Sequence, residues 1–257
     1  MTSTVSVASQ PATRLRPLLT RDYVAFRQAA ADGGTWLVPP ATTATVIINM
    51  ADSFGGLPRA FAAGLTDTHG LVDQTGAFTC VDLKLTPLGA YQLLGLPMSE
   101  LTNRVVDLAD LGLGALADRL ATAADPFAVL DDVLLELAAE GPEPAGEVAW
   151  VWRRLHDSGG NATIGALAAE VGWSRRHLVN RFREQVGLAP KTVARIVRFE
   201  ELLRRLTTGG RPAEIAAACG YYDQAHMNRD FREFAGTTPT EYLARFPSVQ
   251  YPWVPAA

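Results

Sequence analysis

Two stretches of this 257-residue chain repeat each other, and that repetition limits the possible folds more than any bulk property does. The segment LAAEVGWSRRHLVNRFREQVGLAP, Leu167–Pro190, aligns with IAAACGYYDQAHMNRDFREFAGTTP, Ile215–Pro239. Gly172 pairs with Gly220, His177 with His226, Phe182 with Phe231, Gly187 with Gly236 and Pro190 with Pro239. The offset is 48 before the turn and 49 after it. In each copy an Ala-rich helix runs into a glycine, a few turn residues follow, and a longer helix starts with apolar residues four apart. That is a helix-turn-helix pattern, in which glycine ends the first helix at positive φ and small alanines let the helices cross closely.

Between the copies, Lys191–Leu206 (KTVARIVRFEELLRRL) contains no breaker and predicts a helix of 16 residues, about 24 Å long. Successive major-groove turns on one face of B-DNA lie about 34 Å apart, a spacing that two reading helices on such a connector could match once their own widths are added.

Charge separates the chain at EGPEPAGE, Glu140–Glu147. Residues 1–147 carry 8 Arg+Lys against 17 Asp+Glu, net −9, whereas 148–257 carry 15 against 10, net +5. The overall −4 therefore conceals a basic C-terminal half suited to a polyanion.

Helix angles then select side chains. With Leu178 and Phe182 turned inward, Arg176, Asn180 and Arg183 point away from the core and Val179 lies on the flank. With Met227, Phe231 and Phe234 inward, Ala225, Arg229 and Arg232 face outward beside Gln224 and Asn228. Residues near the start of a recognition helix reach base edges most easily, so Arg176, Val179, Asn180, Gln224, Ala225, Asn228 and Arg229 are expected at bases, and Arg183 and Arg232 at phosphates. One exposed arginine is ordinarily a solvated helix face; matched placement in two copies argues for a shared ligand. His177 and His226 read as partly buried packing residues rather than metal ligands, and Trp173 and Tyr221 as aromatics packing the turns.

The other half looks different. Short β-prone runs at TWLVP, TATVIINM and TCVDLKL lie between about Thr35 and Leu85. In the last, Val81, Leu83 and Leu85 alternate with Asp82 and Lys84, which predicts one wet face. Thr86–Pro87 and Asp125–Pro126 read as helix starts, the first helix running to Leu94 and the second carrying a stripe of Phe127, Leu130, Leu134 and Leu137. That stripe either packs on its own domain, the commoner outcome, or forms a dimer seam.

Little here points to an enzyme. His69 is the one histidine of the strand-rich stretch and reads as a surface turn residue; with Asp67 beside it, a metal site would still lack further histidines. Ser53 and Ser99 have no neighbouring base, and Ser99 reads as an N-cap before Glu100. Cys80 and Cys219 sit in apolar runs and read as small core residues, which fits a reducing cytoplasm. No apolar run is long enough for a membrane span.

At this point the residues resemble the DNA-binding domain of AraC/XylS-type transcriptional regulators. The resemblance covers about Thr163 to Phe246 and includes the closing F-x-x-x-x-G-x-x-P-x-x-[YF] form in FREFAGTTPTEYL. It implies a seven-helix, two-subdomain module that binds DNA through both recognition helices. Alignment carries the family's base-facing positions onto Arg176, Val179, Asn180, Gln224, Ala225, Asn228 and Arg229, the residues named above; Val179 and Ala225 depart from the polar residues frequent there. From roughly Thr35 to Ala139, stretches such as FAAGLTDTHG are similar to the cupin-like sensor domains of some of these regulators, which bind small molecules, dimerise, or both.

The expectation is an α+β chain: a tail at 1–20 without fixed structure, a β-rich, cupin-like sensor or dimerisation domain with flanking helices at 21–140, a linker at 141–147, and an all-α domain at 148–257 with helix-turn-helix units at about 164–187 and 213–236. Its partner is double-stranded DNA, with a small-molecule effector and a homodimer admitted, no membrane, and no cofactor, metal or catalytic residue. The rival readings are a cupin-like enzyme and a DNA-binding protein that needs no effector.

Overall fold

The computed structural model of the chain describes residues 4–50, 56–209 and 211–245. Its strand-rich half is one six-stranded antiparallel sheet in the order β1-β2-β5-β3-β4-β6. The strands are β1 (Thr4–Ser9), β2 (Tyr23–Val38), β3 (Ala44–Asn49), β4 (Ala60–Ala63), β5 (Gly70–Leu85) and β6 (Val105–Asp107). The three β-prone runs fall within β2, β3 and β5 or reach just past their ends, but β2 and β5 are far longer than the runs alone suggest. Ladder pairing carries the backbone through RQAAADGG, whose composition disfavours a strand taken alone.

Two corrections concern this half. Residues 4–20 are not a loose tail: β1 pairs with β2, Leu15 and Leu19 are buried, and the Ala12 amide donates to both carboxylate oxygens of Asp131 at 3.1 Å. Nor is the face carrying Asp82 wet. Val81, Leu83 and Leu85 do enter the main core, yet the opposite face holds a second buried cluster of Ile47, Phe61, Phe78 and Cys80, with Asp82 fully buried beside it. Asp82 is ion-paired with Arg21, and Lys84 lies 3.8 Å from its other oxygen. Alternation of apolar and charged residues thus records two packed faces here, one with its charge neutralised in place.

The helices of this half open as their caps dictate. In α1 (Pro87–Leu94) the Thr86 hydroxyl accepts from the Gly89 amide at 2.9 Å, and in α3 (Pro126–Glu140) Asp125 accepts from the amides of Phe127 and Ala128. The α3 stripe packs within its own half, against α1 and α2 (Leu116–Thr122): Leu130 and Leu134 are buried, Phe127 and Leu137 half-buried. Ser99 is not an N-cap; it lies inside a 3-10 turn, Met98–Glu100, preceded by Pro97. Ser53 falls outside the described residues.

The remaining helices are α4 (Gly146–Asp157), α5 (Ile164–Glu170), α6 (Arg175–Val186), α7 (Pro190–Thr208), α8 (Pro212–Ala218), α9 (Gln224–Ala235) and α10 (Pro239–Arg245). The equivalent prolines 190 and 239 both open a helix. One hydrophobic core runs through both halves, joining Leu83 and Met98 to Leu178, Phe182, Phe199 and Phe231. Among the described residues no helix is long and apolar enough to cross a membrane.

Candidate nucleic-acid interface

Both copies of the repeat build the same local device. Gly172 and Gly220, at φ +71° and +74°, end the region of α5 and α8 and turn the chain toward α6 and α9. The longer helices are then capped alike: Ser174 Oγ accepts from the His177 amide at 3.2 Å and Asp223 Oδ1 from the His226 amide at 2.6 Å. Leu178 and Phe182 in α6, and Met227, Phe231 and Phe234 in α9, are all buried. The inward faces follow from spacing, and the outward faces follow in turn.

On α6, Arg176, Asn180 and Arg183 are exposed and Val179 is half-buried. On α9, Gln224, Ala225, Arg229 and Arg232 are exposed and Asn228 is half-buried. These residues form two outward sets, one on α6 and one on α9. His226 is half-buried with its ring edge-on to Tyr221 at 5.3 Å; His177 is exposed, against the partly buried position expected, although its ring still meets Trp173 at 4.6 Å.

The acids on these helices are committed elsewhere. Arg181 binds Glu184 at 2.7 Å within α6. Arg195, from α7, binds Asp230 at 2.9 Å and Glu233 at 2.5 Å on α9, and its guanidinium lies 4.8 Å from the Phe234 ring centre. The Arg195 hydrogen bond holds the Glu233 carboxyl below its usual range, and Glu233 in turn raises Arg195. Among the described residues Arg176, Arg183, Arg229 and Arg232 enter no salt bridge. Arg232 is near enough to help lower the Glu241 carboxyl, so the charge left outside such interactions is that of Arg176 and Arg183 on α6 and Arg229 on α9, which is cationic, the electrostatic condition for gripping phosphate.

Sequence reasoning missed three features. Arg175, the first residue of α6, is exposed and also outside any salt bridge; its position directly after the cap Ser174 was the available signal. The Arg195 network joins residues 35 and 38 positions apart and had no local signature. His69 is not a surface turn residue: it is half-buried against Gly236, and its Nδ1 has no hydrogen-bond partner.

Residues 167–245 match the family model described as a helix-turn-helix domain. Over 87 residues the chain is 34% identical to the uncharacterized HTH-type transcriptional regulator YbfI of Bacillus subtilis (strain 168), covering 34% of this chain and 32% of that protein. Over 90 residues it is 34% identical to the HTH-type transcriptional regulator Rv1931c of Mycobacterium tuberculosis (strain ATCC 25618 / H37Rv), covering 35% of each. The chain thus spans about a third of the length of these curated relatives. Among solved structures, the DNA-binding domain of the global transcriptional factor AdpA, in complex with a target DNA, is 26% identical and covers 43% of this chain and 100% of that one, with a TM-score of 0.38.

Proposed function

We propose that this chain is a sequence-specific DNA-binding transcriptional regulator of the AraC/XylS type, with no enzymatic step of its own. Its ligand is double-stranded DNA, entered by α6 and α9. The observation that carries this reading is the charge arrangement on the two helices: Glu184, Asp230 and Glu233 are neutralised by Arg181 and Arg195, while among the described residues the outward arginines enter no salt bridge. The match of residues 167–245 to a helix-turn-helix family model, and the 34% identity over 87 and 90 residues to proteins named as transcriptional regulators, support it.

Within this reading Arg176, Val179 and Asn180 of α6, and Gln224, Ala225, Asn228 and Arg229 of α9, meet base edges. Arginine suits guanine, asparagine and glutamine suit adenine, and Val179 or Ala225 suits a thymine methyl. Arg183 and Arg232, a turn further on, meet phosphates. The strand-rich half is assigned control of the reader, as a cupin-like domain that takes a small-molecule effector or pairs two copies.

Selection of bound duplexes from a random pool by the full chain tests the reading. A defined motif with two sub-sites is expected, bound with an affinity that falls steeply as salt rises. Enrichment of no motif, or salt-insensitive binding, overturns it.

A further inference from the structure

We propose that the strand-rich half is a brace that fixes the placement of α6 relative to α9, with Thr42, His69 and Thr102 as its positioning residues; the inference rests on the reading of both helices as DNA readers. The equivalent glycines of the repeat carry it. Gly187, which caps the C-terminal end of α6, is buried against the turn that follows α1: Thr102 Oγ1 donates to the Gly187 carbonyl at 2.9 Å, and a Cβ on Gly187 would lie 3.1 Å from the Met98 carbonyl oxygen. Gly236, the matching cap of α9, remains exposed but is approached by the His69 ring, where a Cβ would come within 2.7 Å of Cε1 and Nε2. Two positions that correspond in the repeat thus each meet a separate segment of the same half, Gly187 buried and Gly236 at the surface.

A third contact holds the helix between them. Glu200 of α7 accepts from the Thr42 amide and the Thr42 hydroxyl, both at 2.8 Å. The brace therefore touches the C-terminal ends of both reading helices and the middle of their connector. It leaves free the first turns of α6 and α9, where Arg176, Gln224 and Ala225 stand exposed.

The physical consequence concerns spacing. Adding or removing one base pair between two sub-sites displaces one from the other by about 3.4 Å and turns it by about 35°. Units joined by α7 alone would follow such a change at the cost of bending one helix and loosening the Arg195 network. Units fixed at three points to a common core have to break contacts whose partners are partly buried, and that cost appears as discrimination against the wrong spacing.

The test uses the full chain, a duplex obtained by the selection above, and two further duplexes with one base pair inserted or deleted between the sub-sites, read by fluorescence anisotropy. Unaltered protein is expected to bind either altered duplex at least about tenfold more weakly. In the Thr42→Val, His69→Ala double variant the three affinities should converge to within about threefold, while the affinity for the original duplex changes by less than that. Thr42→Ser alone, which keeps the hydroxyl and leaves His69 in place, should retain the preference. Circular dichroism melting confirms that each variant is folded, and the two single variants carry the same comparison should the pair unfold. The inference is overturned if a folded variant retains the tenfold preference, if all three affinities fall in parallel, or if unaltered protein shows no preference. Failure to select any duplex would instead strike the DNA-binding reading itself.

Discussion

Thr42 and Glu200, 158 positions apart, are joined by two hydrogen bonds that place a carboxylate of the helical half under a loop of the strand-rich half. Burial pushes the Glu200 carboxyl above its ordinary range, and the two Thr42 donors only partly oppose this. Because the folded value lies above the unfolded one, about 4.3, the native chain binds more protons than the unfolded chain between the two values. Glu200 therefore favours the folded state increasingly as pH falls through that window. Glu200→Gln should remove this component. In urea unfolding at pH 7 and pH 5, the stability difference between wild type and Glu200→Gln should shift in favour of wild type at the lower pH; a shift the other way would contradict the assignment. Glu200→Ala strands the Thr42 donors and should cost on the order of 1–3 kcal/mol.

The buried charges beneath the sheet make a second prediction. Asp82 stands between Arg21 and Lys84 beside the second apolar cluster, and burial together with Asp82 pushes the Cys80 thiol up to about 12. Cys219 is also buried and its thiol is raised. Neither thiol should react with a disulfide reagent at pH 8 until the chain unfolds, so a rapid titration of either in native protein would refute the packing. Asp82→Ala leaves two cations against an apolar wall and should cost about 3–5 kcal/mol in the same unfolding assay.

How much of this was legible depends on the distance between partners. The caps Thr86 and Asp125, the inward set Leu178, Phe182, Met227 and Phe231, and the ends of the repeated units are governed by residues within a turn or two, so their spacing in the chain suffices. The connector is longer than its unbroken run of Lys191–Leu206 predicts: α7 runs from Pro190 to Thr208, because Pro190 is a first-turn residue and Thr207 and Thr208 extend the helix past its apolar stripe. Asp82 misled because alternation looks the same whether its polar face meets water or a neutralised interior. Strand β1, His69 on Gly236 and Thr42 on Glu200 depend on partners that only the completed fold brings near.

The two classes of arginine on the recognition helices should separate in binding assays. Arg176→Ala and Arg229→Ala, near the helix starts, are expected to cost on the order of 1–3 kcal/mol on the selected duplex and to flatten the preference at one base pair each. Arg183→Ala and Arg232→Ala should weaken all sequences alike and reduce the slope of log affinity against log salt by about 0.9 each. If the four variants behave identically, the division into base and phosphate contacts is wrong.

Two glycines with nearly the same backbone separate conformational strain from steric exclusion. Gly172, at φ +71°, faces open space: a Cβ there would meet nothing within 4 Å. Gly160, at φ +76°, lies in the turn after α4, where a Cβ would stand 2.1 Å from the Ala194 carbonyl oxygen of α7; Arg198 also donates to the Gly160 carbonyl at 2.7 Å. Gly172→Ala incurs only the left-handed backbone penalty and should lose about 1–2 kcal/mol. Gly160→Ala incurs a similar penalty and in addition forces the turn off α7, because the obstructing atom is backbone and cannot swing aside. Its loss should exceed that of Gly172→Ala by at least about 2 kcal/mol. Equal losses in parallel urea melts would show that the α4 turn does not pack on α7 as closely as described.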